Sequence, residues 1–295
     1  MRGRARRGRL SGRVIVSTVL AAAICTSVVA VVLALQPRAV GGPAPRIDRP
    51  ESATAPPRTT TISLDDTPST MAPHIPRLGS STPAGIINLT NWKLTLPTGD
   101  DDAAEIKQPK LMQFRDPRYF HVDPIGAGVV FRAPVGGATT GNSEYPRSEL
   151  REMTAGGKKE ASWSGESGTH VMTISQAITA VPQGKPQVVA GQIHDAEDDV
   201  IMVRLNGSKL FVESDGRQVG VLDPAYRLGT RFTVQIVATA GRIRVTYNGI
   251  KTVGMERDGG DYYFKAGCYT QANDDNSDEG SYGEVVIHAL TVQHS

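Results

Sequence analysis

Tyr263-Phe264-Lys265-Ala266-Gly267-Cys268-Tyr269-Thr270-Gln271 alternates in character along its length. Tyr263, Lys265, Tyr269 and Gln271 fall on every second position, and Phe264, Ala266 and Cys268 lie between them. A period of two marks a β-strand, whose successive side chains point to opposite faces. One face is polar; the other is small or apolar and suits a core. Two shorter stretches repeat the pattern. In Arg147-Ser148-Glu149-Leu150-Arg151 the charged residues share a face, and in Gln192-Ile193-His194 the amide and the imidazole do. If the three strands join one sheet, its open face gathers guanidinium, amide, imidazole, ammonium and phenol groups.

Other strand signals surround these. Runs starting at Val129, Val171, Val200, Lys209, Phe232, Arg242 and Val285 are short and rich in β-branched residues. Asn206-Gly207-Ser208 and Asn248-Gly249 read as hairpin turns, and Asp215-Gly216 and Gly241 separate further runs. No long window carries a helical period and no internal repeat is visible. Many short strands with frequent turns predict an all-β fold, a jelly-roll β-sandwich.

The chain changes composition twice before this region. Arg2, Arg4, Arg6, Arg7, Arg9 and Arg13 precede Val14–Leu35, a run of 22 residues without a charge. At about 1.5 Å per residue in a helix this spans roughly 33 Å, enough to cross a bilayer. Residues 1–35 therefore read as a signal peptide or a signal-anchor, with the rest of the chain outside the cytoplasm. Residues 36–83 are rich in Pro, Thr and Ser and predict an extended, disordered linker. Residues 84–295 form the expected folded domain.

Charge separates the same regions. Residues 1–83 carry 11 Lys+Arg against 4 Asp+Glu, so of the whole chain's 32 and 30 the domain keeps 21 bases and 26 acids, a net of −5. That excludes nucleic acid as the expected partner. An anionic ligand has to be held by a local basic cleft rather than by bulk charge. Cys25 lies in the leader, so Cys268 stands alone in the domain and reads as a small core residue.

The polar set fits elimination on a polyuronate. Carbon 5 of a uronate ring is α to a carboxylate, and the glycosidic oxygen on carbon 4 is a β leaving group. Cleavage needs the carboxylate charge offset, a base for the carbon-5 proton and an acid for the leaving oxygen. Arg147 offers a forked contact to the carboxylate, and Gln192 an amide hydrogen. His194 suits the base near neutral pH, and Tyr269 the acid, or both roles beside a cation. Glu149, between Arg147 and Arg151, is expected to orient them. Taken singly, each stretch reads as the solvated face of an antiparallel sheet; the coincidence of all three points to a site.

Together these blocks resemble polysaccharide lyase family 7, the alginate lyases. The resemblance rests on Arg147–Arg151, Gln192–His194 and Tyr263–Gln271 in that order, and on Leu89–Pro97 as an opening strand, and it covers about 86–293. It implies a jelly roll whose concave sheet binds alginate, with Arg147 and Gln192 neutralising the carboxylate. His194 would be the base and Tyr269 the acid, or Tyr269 both. Glu149, Arg151, Tyr263, Lys265 and Gln271 are expected on the sugar-binding face. No cofactor or metal is required. Ile193 hints at guluronate-containing or mixed blocks. The expected protein is an extracellular, endolytic monomer, touching a membrane only through its N-terminal segment. The alternatives are a lyase for another polyuronate such as glucuronan, or a non-catalytic carbohydrate-binding module on the same fold.

Other signals carry less. Asp274–Gly280 resembles a calcium loop, but Glu279 stands where an EF-hand needs glycine. Asp195, Glu197, Asp198 and Asp199 could suggest a hydrolase pair, which would leave Arg147, Gln192 and Tyr269 unexplained. Trp92 and Trp163 could stack on sugars, Trp92 being the better core candidate.

Overall fold

The computed structural model describes residues 80–295, apart from Asp101 and Asn142. The leader and nearly all of the linker lie outside the described residues. The short strands come first: β1 (Trp92–Thr95), β2 (Glu105–Ile106), β3 (Phe120–Val122) and β4 (Val129–Pro134). Then follow β5 (Arg147–Thr154), β6 (Lys159–Glu160), β7 (Thr169–Ala180), β8 (Gln187–His194), β9 (Asp199–Asn206) and β10 (Lys209–Ser214). The chain closes with β11 (Arg217–Asp223), β12 (Phe232–Thr239), β13 (Arg242–Tyr247), β14 (Lys251–Glu256), β15 (Tyr263–Thr270) and β16 (Tyr282–His294). Among the described residues the only helices are 3-10 turns at Pro83–Gly85 and Lys110–Gln113. No described helix is long and apolar enough to cross a membrane.

Two antiparallel sheets make the sandwich. One runs β11-β10-β9-β8-β15-β5-β1-β2, with β6 beside β5; the other runs β14-β13-β12-β7-β16-β4-β3. This is the all-β jelly roll that the strand pattern predicts, and every run named from the sequence lies within a strand. The hairpin signals also hold. Asn248 and Gly249 both take left-handed backbone (φ 50° and 72°), in a turn closed by the Ile250 N–H donating to the Tyr247 carbonyl at 3.1 Å.

The core forms where the apolar faces meet. Leu150, Ile193, Phe264, Ala266 and Cys268 point inward from the first sheet, against Ile174, Val234, Ile236, Val285 and Ile287 of the second. Burying one Leu, Ile or Phe side chain contributes about 1.5–3 kcal/mol. Trp92 belongs to this core. Trp163 packs against it, donating its indole N–H to Glu152 (3.1 Å) and stacking on His170 at 4.2 Å. Neither tryptophan faces a sugar-binding surface.

The strand order matters most for function. β8, β15 and β5 are immediate neighbours, so the three alternating stretches meet although up to 124 positions separate them. β15 sets Tyr269 opposite Arg147 and Lys265 opposite Arg151; on its other side Lys265 faces Gln192 and Tyr263 faces His194. Between Lys265 and Tyr269 the register with β8 shifts by a residue. Gly267 sits in that shift at φ 143°. A Cβ there would lie 2.6 Å from the Ser148 carbonyl oxygen and 2.8 Å from the Glu149 Cα, both backbone atoms unable to step aside. Gly267→Ala should therefore destabilise the domain by about 2 kcal/mol or more. Thermal unfolding by circular dichroism checks this, and an unchanged midpoint would refute the steric account.

Candidate active site

The outer face of the first sheet carries a cleft of about 650 Å³. Arg147, Gln192, His194, Lys265 and Tyr269 share it, with Arg151 and Tyr263. Thr140, Gly141 and Ser143 form one wall, and Ala196–Asp199 the other. Alternation predicts an open polar face here. The structure instead buries its centre: Arg147, Glu149, Gln192 and Lys265 are all below a tenth exposed.

Glu149 organises this buried centre. One carboxylate oxygen accepts from Lys265 Nζ at 2.9 Å and Arg147 Nη1 at 3.3 Å, and the other accepts from Gln192 Nε2 at 2.5 Å. Burial alone would raise its pKa. The Lys265 and Arg147 charges, with hydrogen bonds from Lys265 and Gln192, outweigh burial and hold it below the ordinary carboxylate value. Lys265 responds oppositely: burial brings its pKa down to about 8, and Arg147 and Arg151 add to the effect against the pull of Glu149.

The structure departs from three expectations. Glu149 lies beneath the sugar-binding face rather than on it, with no exposed side-chain surface. Glu149 touches Arg147 but does not orient Arg151, because Lys265 reaches across from β15 and takes that side of the carboxylate. Arg151 turns instead to Glu160 (3.3 Å) and the Glu152 carbonyl (2.7 Å), over the Tyr263 ring at 3.9 Å. Gln271 does not join the sugar-binding face. β15 ends at Thr270, and past that end the Gln271 amide folds back onto the Thr270 carbonyl at 3.1 Å, outside the cleft lining.

Among the described residues, His194 keeps one ring nitrogen free of partners. Its Nδ1 lies 2.8 Å from the Asp195 carbonyl oxygen. A carbonyl only accepts, so Nδ1 carries the hydrogen and Nε2 keeps its lone pair. The ring stacks on Tyr263 at 5.3 Å, with the Tyr263 hydroxyl 3.1 Å from Nδ1. Burial lowers the imidazole pKa, and the Lys265 charge lowers it further. The ring therefore stays neutral through the neutral range.

Tyr269 lies under the Arg147 guanidinium, 3.8 Å from ring centroid to the central carbon, and its hydroxyl meets Ser143 Oγ at 3.0 Å. Ser143 also lies 3.1 Å from the Tyr145 carbonyl oxygen, to which only a donor can bond. With the serine proton spent there, the phenol is left to donate to Ser143. Alternation could not reveal Ser143, which arrives from the loop before β5. Lys93 and Thr95 also line the cleft; the alternation of Trp92-Lys93-Leu94-Thr95 could have pointed to them. On the far wall Asp199 is pushed up to about 6 by burial, helped by Asp198 and Glu213. Cys268 is fully buried in the core, and burial pushes its thiol well up.

With this geometry in place, comparison with known proteins identifies the family and its fold. The alginate lyase family model matches residues 87–294. The chain belongs to that family. It is similar to the solved alginate lyase AlgAT5 of polysaccharide lyase family 7, at 53% identity over 73% of this chain and all of that one, with a TM-score of 0.72. It is also similar to the solved alginate lyase from Corynebacterium sp., at 44% identity over 73% of this chain and 99% of that one, with a TM-score of 0.71. A curated alginate lyase of Klebsiella pneumoniae is 28% identical over 72% of this chain and 91% of its own length.

Removing the central carboxylate should be costly, since it leaves two buried cations without a partner. Glu149→Ala is expected to destabilise the fold by about 3–5 kcal/mol. Denaturant melts of wild type and variant give the difference directly; a loss under 1 kcal/mol, the range of an ordinary surface pair, would rule out this organising role.

Proposed function

We propose that the protein cleaves alginate by β-elimination, using Arg147, Gln192, His194 and Tyr269. One observation carries the reading: a single cleft holds a guanidinium with a spare buried N–H, a neutral imidazole with its Nε2 lone pair available, and a phenol holding its proton. Arg147 Nε is buried without a partner, and only one guanidinium nitrogen is engaged by Glu149. Gln192 spends one amide hydrogen on Glu149 and keeps a second.

The roles follow from these donors and acceptors. A uronate carboxylate accepts from Arg147 and from the remaining Gln192 N–H, which offsets the charge that builds when carbon 5 loses its proton. His194 Nε2 takes that proton. The electron pair forms the bond between carbons 4 and 5, and the carbon-4 glycosidic oxygen departs with the Tyr269 proton. One chain end gains an unsaturated sugar and the other a hydroxyl. Ser143 then faces the phenolate oxygen and can turn its own hydroxyl toward it.

The finer readings belong to the same proposal. The lining runs from Lys93 on β1 to His194 on β8, four strands across, and favours binding several sugars at once and cutting internal bonds. Ile193 is wholly buried, so its bearing on guluronate-containing or mixed blocks runs through the backbone that places Gln192 and His194. The arginine-rich start and the apolar run support an extracellular, secreted or tethered location. Every side chain used in the proposed chemistry comes from this one chain, which supports a monomer.

A rise in ultraviolet absorbance on mixing protein with alginate tests the reaction, because elimination creates a conjugated double bond. A binding module would be retained on alginate without the rise, and a lyase for another polyuronate would show the rise with glucuronan instead. His194→Ala and Tyr269→Phe should each lower kcat by about 10²–10⁴ with the fold intact. Full activity in both would overturn the assigned roles.

The lowered pKa values of His194 and Lys265 set the expected pH profile. His194 has a lowered pKa, so it remains a base below the ordinary imidazole value of 6.5, and the acidic limb of kcat/KM falls below that pH. Lys265 loses its charge above about 8, which weakens the hold on an anionic sugar and sets the alkaline limb. Lys265→Arg should move that limb to higher pH, since a guanidinium keeps its charge. An unshifted limb would assign it to another group.

A further inference from the structure

Lys93, Arg151 and Lys265 stand side by side across three strands. Lys93 faces Arg151 across β1 and β5, and Arg151 faces Lys265 across β5 and β15. All three line the cleft. Like charges directly opposite on a sheet repel, so each must be balanced. Lys265 is balanced by Glu149, whose side chain has no exposed surface. That carboxylate is locked inside the fold by its three donors.

The other two cations are balanced differently. Glu160 places one carboxylate oxygen 3.1 Å from Lys93 Nζ and the other 3.3 Å from Arg151 Nη2. It bridges them much as a single bound carboxylate would. Lys93 and Arg151 have side chains only 12% and 13% exposed, whereas Glu160 is 61% exposed. Glu160 comes from β6, a strand of two residues held only by the end of β5. With its carboxylate in contact with water, Glu160 holds these cations through screened pairs worth about 1 kcal/mol. The cations are fixed and their partner is exchangeable. Lys93 also meets Glu105 at 2.5 Å, but that acid is shared with Lys107 on the outer side.

We propose that Lys93 and Arg151 form a second carboxylate site in the cleft, and that Glu160 occupies it as an internal stand-in until a uronate carboxylate displaces it. The inference deepens the lyase reading above and rests on it. The substrate repeats its carboxylate at every sugar. A chain bound with one carboxylate at Arg147 presents others along the cleft, and the row leading through Lys265 ends at Arg151 and Lys93. Displacement costs little, because Glu160 swings into water and stays solvated there. Glu160 thereby sets how tightly the second site grips, since each substrate carboxylate must compete with it.

Calorimetric titration of oligoalginate into Tyr269→Phe protein, in which turnover is suppressed, tests this with and without Glu160→Gln. Losing the competing charge should tighten binding about two- to five-fold at low salt. The gain should shrink in high salt, and shrink again when Arg151→Gln is added, as a double-mutant cycle requires of two coupled groups. In the active protein the change should fall on KM rather than kcat. Weaker binding in Glu160→Gln would mean that the carboxylate organises the two cations for the substrate, and would overturn the inference, as would unchanged binding. If the otherwise unmodified protein neither cleaves nor retains alginate, the lyase reading itself fails. If it cleaves alginate and Glu160→Gln does not tighten binding, only the stand-in fails.

Discussion

One buried carboxylate fixes the chemistry of this cleft. Glu149 lies in a part of the sandwich that water scarcely reaches, where an ion without partners would cost several kcal/mol. Three donors from three strands converge on it: Arg147 from its own strand, Lys265 from β15 and Gln192 from β8. The ion is tolerable only with these partners, and they are ordered only because the ion is there. The same charges reach beyond the cluster. Lys265 helps hold the His194 imidazole neutral, second only to burial. The interaction that stabilises the floor of the site also tunes its base.

Strand order supplies the other constraint. A base, a phenol and a guanidinium far apart in the chain can serve one sugar only if β8, β15 and β5 are consecutive in the sheet. Antiparallel pairing then decides the neighbours, setting Tyr269 opposite Arg147 so that the guanidinium lies over the ring at 3.8 Å. The register shift at Gly267 lets the two sides of β15 keep different pairings: Lys265 meets Gln192, yet Tyr269 meets Val189. Without the shift Lys265 and Tyr269 could not both keep these partners on β8, while the pairing with β5 runs unbroken from Lys265 to Tyr269.

Much of this is legible in the sequence, and the exceptions share a cause. Period two assigns a residue to a face, which is why Arg147, Gln192, His194, Lys265 and Tyr269 are found together and why Ile193, Phe264 and Cys268 are inside. It says nothing of which neighbour a long side chain will choose. The sequence therefore suggests Glu149 as the partner of both arginines, although Lys265, nearer in space, displaces Arg151 toward Glu160. Nor does it mark where a strand stops, so Gln271 is placed with Tyr269 when the chain has already turned. Ser143 comes from a loop without a period, and Glu160 from a strand too short to show one. Pattern reading reaches the sheet's own face and misses what the connections bring over it.

The charge distribution resolves an apparent conflict between an acidic domain and an anionic ligand. Residues 84–295 carry a net of −5 by composition, and the cleft wall at Glu197–Asp199 adds to it locally. Charges on the solvated surface are screened beyond about 8–10 Å at physiological salt. The cations of the floor lie in a poorly solvated environment, where screening is weak and each interaction counts for more. A polyanion that reaches the floor therefore meets attraction stronger than the repulsion of the rim. With the proposed second carboxylate site, its hold also depends on several carboxylates engaging together, because linked contacts reinforce one another through effective concentration. Cleavage divides that linkage: each product keeps only part of the set and faces the same acidic wall. On this account the acidic rim opposes product retention more than substrate capture, and an intact chain is held in preference to its fragments.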